Sequence, residues 1–119
     1  METTQQIANG LTRLLREGKF QEVYENYFEP DTVRHIEPQS PNFSNLTGLK
    51  AILEKDKQMQ SNIASFNHMH VGDPAVAGDH FAIPYQMGFI TKDGKEVNLN
   101  EIIVYQVEHG KIVLEQFFY

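Results

Sequence analysis

The stretch DTVRHIE places His35 and Glu37 two residues apart. In an extended strand that spacing puts both side chains on one face. Imidazole titrates near neutrality and a carboxylate neighbour fixes its tautomer, so the pair has the make-up of a general acid–base device. The bland alternative is a His35 that hydrogen-bonds a loop carbonyl. A second titratable group, Glu115, stands in the closing run HGKIVLEQFFY. That run alternates like a strand yet is apolar at both parities. Ile112, Leu114 and Phe118 point one way; Val113, Phe117 and Tyr119 point the other, in the series that also holds Glu115. A glutamate in apolar surroundings has its pKa raised by desolvation and can trade a proton near neutrality. His68 and His70, in NHMH, share a strand face at a spacing that can chelate. Without cysteine or an evident third ligand, no metal is assigned there and a hydrogen-bonded or exposed pair is expected. His80 and His109 are expected at the surface, and no Ser-His-Asp or nucleophile-elbow pattern occurs.

The elements that must position these groups follow from periodicity. Ile7, Leu11, Leu14 and Leu15 form one helical stripe, with Thr3 and Gln6 as a capping box and Gly18 as a stop. Phe20, Val23, Tyr24, Tyr27 and Phe28 repeat the spacing up to Pro30. A third helix carries Leu49, Ile52, Leu53, Met59 and Ile63, with EKDKQ on its wet face. Strands are expected at Ala64–Val71, His80–Thr91, Glu96–Val107 and Lys111–Tyr119, joined by KDG and EHG turns where glycine takes positive φ. PQSPNFSNLTG and GDPAVAGD read as connections. The order is α+β, helices on one face of a curved antiparallel sheet.

Bulk properties narrow the classes. The 119 residues make one domain, 1–119, long enough for a core of its own. A net charge of −6 without a basic cluster or a Gly-rich phosphate loop argues against nucleic acid and nucleotides. The zero cysteine count excludes disulfides and thiolate chemistry. METTQQ has no leader character and no apolar run reaches membrane length, so a cytoplasmic protein is expected, and the two N-x-[ST] matches at Asn42 and Asn45 are read as chance.

Three segments together carry a resemblance: FQEVYENYFEPDTVRHIEP, TGLKAI, and TKDGKEVNLNEIIVYQVEHGKIVLEQFFY. Over nearly the whole chain they resemble the nuclear transport factor 2-like superfamily, in particular its SnoaL-like and ketosteroid isomerase-like branch. The resemblance implies a cone-shaped (cystatin-like) fold, three N-terminal helices packed on a curved antiparallel sheet around a deep, mostly apolar pocket for a small molecule. The other sheet face commonly meets a second subunit. Phe81, Ile83, Tyr85, Met87 and Phe89 share one face and would form a large apolar patch if exposed. A homodimer through them, with Leu114 and Phe118, is therefore expected.

For the site, the resemblance implies His35 at the base position of the steroid isomerases. Their oxyanion-hole positions fall at Leu11 and Ile103, which cannot donate hydrogen bonds. Steroid isomerisation by that mechanism is thus not expected. The fold's register implies a pocket side made of His35, Glu37, Gln86 (with Pro84), Glu101, Ile103 (with Tyr105), Glu115, Phe117 and Tyr119. Two functions stand open. One is cofactor-free proton transfer of the isomerase or cyclase class on a small, mostly apolar substrate, with His35 oriented by Glu37 or Glu101. The other is a non-catalytic ligand-binding or dimeric assembly module, or an adaptor using the same sheet face.

Overall fold

The computed structural model describes residues 1–37 and 45–119. The Asn42 sequon and part of the PQSPNFSNLTG connection lie outside the described residues. Helix α1 (Thr4–Arg16) begins at Thr3, whose hydroxyl accepts from the Gln6 N–H at 3.1 Å. The Gln6 side chain accepts in return from the Thr3 N–H at 2.9 Å, completing the capping box. Gly18, at φ 72°, ends it in the left-handed conformation that only glycine adopts without strain. Ile7, Leu11, Leu14 and Leu15 are buried, each contributing about 1.5–3 kcal/mol.

Helix α2 (Phe20–Tyr27) stops before the expected Pro30. Phe28 is already extended, at ψ 138°, and bridges Ile112 in parallel. Its buried ring meets Tyr24 edge-on and Tyr105, and that packing draws the residue out of the helix. Helix α3 (Leu49–Ser61) follows two short strands, β1 (Arg34–Ile36) and β2 (Leu46–Thr47). Ile63, expected as helix, opens strand β3 (Ile63–Val71). The remaining strands are β4 (Ala75–Ala77), β5 (His80–Thr91), β6 (Glu96–Glu108) and β7 (Lys111–Phe118). The GDPAVAGD connection therefore holds a strand of its own, joined to β5 by a tight turn at Gly78, φ 59°.

The sheet order is β2-β1-β7-β6-β5-β3, with β4 also on β5. It is mixed, which corrects the expected antiparallel sheet: β1 runs parallel to β7. No hairpin joins these two strands, because the rest of the chain intervenes, so their relative direction is free. The β5–β6 hairpin pairs Ile83 with Ile103 and Tyr85 with Glu101. Paired residues share a face, so the odd-numbered series of both strands turns inward together. Phe81, Ile83, Tyr85, Met87 and Phe89 are accordingly buried within this chain, at 0–7% exposure. They are not an exposed face awaiting a partner, which corrects the expected dimer surface. In β7 an extra residue sits between the Val107–Ile112 and Gln106–Leu114 pairs. That bulge lets Ile112 and Glu115 both point inward despite opposite parity. Ile112 is fully buried rather than partner-facing; of the outer series, Phe118 is exposed while Leu114 is itself buried within this chain, which removes it from the expected dimer surface.

Candidate active site

Between the helices and the inward sheet face lies a cavity of about 210 Å³. Leu15, Phe20, Ile52, Met59, Leu99 and Ile103 give it apolar walls, and a polar cluster closes one side. His35 enters from β1 and Glu115 from β7, and their strands pair in register at these two residues. The imidazole Nδ1 lies 2.7 Å from Glu115 Oε2, both side chains buried. His35 Nε2 meets Lys55 Nζ, from α3, at 2.7 Å and lies 3.5 Å from Glu37 Oε2. Lys55 Nζ also donates to Glu37.

Burial pulls the imidazole's pKa down, but hydrogen bonds to Glu115 and Glu37 outweigh it and raise it to about 9; the Lys55 charge opposes them. Glu37, which contacts both His35 Nε2 and Lys55 Nζ, supplies the negative charge that lets these two basic groups stand so close. Glu37 sits below the usual carboxylate range, because its bonds to His35 and Lys55 overcome the opposing effect of burial. Glu101, on β6, goes the other way: burial and the like charges of Glu37 and Glu115 lift it to about 7. Asp56 is raised by burial and by Glu115. The cavity thus pairs a cationic imidazole with a carboxyl that titrates near neutrality.

His35, Glu37, Glu101, Ile103, Glu115, Phe117 and Tyr119 all line this one cavity, as does Tyr105. The orienting partner of His35 is Glu115, which holds Nδ1, rather than Glu101. Gln86 and Pro84 belong elsewhere: both are exposed on the outer face, where Gln86 donates to Asn100 at 3.3 Å. Their even parity on β5 puts them opposite Tyr85 and Met87, which take the inward places. Val113, at the bulge, does not line the cavity. Leu11 is core.

Lys55 and Asp56, read as wet-face residues of α3, turn inward instead. The signal was present: Ile52, Lys55, Asp56 and Met59 stand at i, i+3, i+4 and i+7, one helical face. His68 and His70 are exposed, the His68 ring lying over Gly88. No group of three or more potential metal ligands occurs among the described residues. No described helix is long and apolar enough to cross a membrane.

A family model described as a SnoaL-like domain matches residues 2–119. No curated protein matches the sequence. A solved structure from Mesorhizobium loti is 29% identical, covering 99% of this chain and 100% of that one, with a TM-score of 0.91. It is provisionally described as a SnoaL-like polyketide cyclase, a description that also names carbohydrate phosphatase. A protein of unknown function with a cystatin-like fold, from Xanthomonas campestris, is 21% identical over 98% of this chain and 90% of that one, TM-score 0.80. An NTF2-like protein from Burkholderia thailandensis is 15% identical over 99% and 91%, TM-score 0.80. The last two likenesses bear on the fold alone.

Proposed function

The chain belongs to the SnoaL-like domain family, and we propose that its pocket catalyses cofactor-free proton transfer, of the isomerase or cyclase class, on a small, mostly apolar molecule. The observation that carries this reading is the meeting, inside one apolar cavity, of the Glu115-held His35 with Glu101. Glu101, near its midpoint at neutral pH, is the base that removes a proton from carbon. His35, kept protonated by Glu115 and Glu37, returns one elsewhere. Lys55 steadies Glu37 and His35 Nε2 between the two steps. The cyclase description of the Mesorhizobium loti relative supports the class. It does not reach the substrate, since one fold hosts many activities.

Deuterium uptake from heavy water into small cyclic ketones and enones, followed by NMR, tests the reading. Wild-type protein is expected to accelerate uptake, and His35→Ala and Glu101→Gln each to remove about 10²–10⁴-fold of that acceleration. Uptake at the buffer rate across the panel would overturn it and leave a binding role for the pocket.

A further inference from the structure

His35 carries a proton in a position where its own nitrogens are already engaged. Glu115 Oε2 holds Nδ1 at 2.7 Å. Lys55 Nζ stands 2.7 Å from Nε2, with Glu37 Oε2 at 3.5 Å from the same nitrogen. The Phe117 ring lies against the imidazole, centroids 4.9 Å apart and planes tilted by 49°. The His35 side chain is 7% exposed, and these contacts hold the ring still. The group standing beyond Nε2 is the Lys55 ammonium. It lines the same cavity, and its side chain is 18% exposed.

The fold keeps Lys55 in that place from two sides. On α3 it follows the buried Ile52 by three residues, on the helical face that also carries Asp56 and Met59 to the cavity. Its stem can lie along the apolar wall while the charged end stays among polar groups. Glu37, just past β1, accepts a hydrogen bond from Nζ. The Lys55 charge is also felt by Asp56 and Glu101, which line the cavity with it. At 2.7 Å, Nε2 and Nζ are close enough for a proton to pass between them once Nζ has a lone pair.

We propose that Lys55 is the catalytic residue that delivers the proton to the substrate, and that His35 acts through it, replacing the proton it gives. The inference rests on the proton-transfer reading above and names the group that meets the substrate at its second step. There an N–H bond of Lys55 breaks toward the substrate atom that became electron-rich when Glu101 removed a proton. The N–H electron pair stays on Nζ as a lone pair. That lone pair takes the proton from His35 Nε2, whose bonding pair returns to the ring. The imidazole is left neutral, its Nδ1 proton still on Glu115. Glu37 touches both nitrogens and offsets the positive charge on either side of the transfer. Glu101 then gives its proton to water, and the His35–Lys55 pair takes one back at Lys55, the more exposed member.

Deuterium uptake into cyclohexanone and indanone, measured in wild type, Lys55→Ala, Lys55→Arg, His35→Ala and the Lys55→Ala/His35→Ala double variant, tests the relay. Lys55→Ala is expected to lose about 10²–10⁴-fold. The double variant should be no slower than the slower single one, because the two residues act as a unit. Ethylamine, which fits the space left by the truncated side chain, should restore part of the rate to Lys55→Ala and none to His35→Ala. Across small primary amines the restored rate should follow their basicity, a grading that a merely structural lysine would not produce. Lys55→Arg keeps a cation against Glu37, so the fold is retained, but a guanidinium does not release its proton and the rate should still fall. A wild-type rate in Lys55→Arg or Lys55→Ala would overturn the proposal, as would losses that multiply in the double variant without amine rescue. Wild-type uptake indifferent to Lys55 defeats the relay alone and leaves His35 as the direct donor. No uptake by wild type defeats the proton-transfer reading and the relay with it.

Discussion

His35 holds its proton because two carboxylates outbid both burial and a lysine, and that arrangement has a stability signature. Its folded pKa, about 9, lies above the ordinary 6.5. The contribution to stability is therefore complete below pH 6.5 and lost as pH rises through about 9, on the order of 3 kcal/mol. Glu101, raised from 4.5 to about 7, acts with the same sign in the lower window. Urea unfolding should show stability falling from weakly acidic to alkaline pH, with Glu115→Gln flattening the upper part of the fall; an unchanged slope in that variant would show that Glu115 does not set the His35 proton. The residues alone exposed His35 with Glu37 by their spacing and Glu115 by its place in an apolar alternation, whereas Glu101 came only with the register that the family resemblance implies. Which carboxylate grips the imidazole was not legible, since it depends on the β1–β7 register between residues 80 positions apart.

At the scale of elements, the β5–β6 hairpin decides what faces the pocket. Continuous apolar character at Phe81–Phe89 told that one face is buried, but not against what. The answer lay in counting through the KDG turn from Glu101 to Tyr85, which places both series inside. The bulge at Val113 had no such signal, because it is set by how β7 meets β6 and the Phe28 bridge. Helix capping, by contrast, is local chemistry and was readable at Thr3, Gln6 and Gly18. The α1–α2 contact offers a test of close approach. A Cβ on Gly10 would stand 2.1 Å from the Tyr27 hydroxyl oxygen, so Gly10→Ala should lower stability by about 1 kcal/mol, despite the ~0.5–1 kcal/mol an alanine gains in a helix interior. In a Tyr27→Phe background that cost should shrink or reverse. Thermal melts of the four proteins check this; strict additivity would mean that the contact does not limit the packing.

At the scale of the molecule, the outer sheet face carries what inward packing leaves over. Ile102 and Phe118 pair across β6 and β7 and stand 48% and 41% exposed, beside the half-buried Val104 and Gln116. We propose that a second copy covers this face, a smaller and more polar patch than the Phe81–Phe89 series would have made. Sedimentation equilibrium should then give twice the 13.7 kDa chain mass, and Ile102→Lys should return it to one; a wild-type monomer would end the idea. The central claim concerns the cavity between the helices and the inward sheet face. The most direct measurement is the pH dependence of deuterium uptake into a bound cyclic ketone, in wild type and in Glu101→Gln. The rate is expected to rise through about pH 7 as Glu101 ionises and to fall through about pH 9 as His35 loses its proton. Glu101→Gln should abolish the acidic limb together with most of the rate. A wild-type rate that is flat across this range, or equal to that of the glutamine variant, would contradict the account.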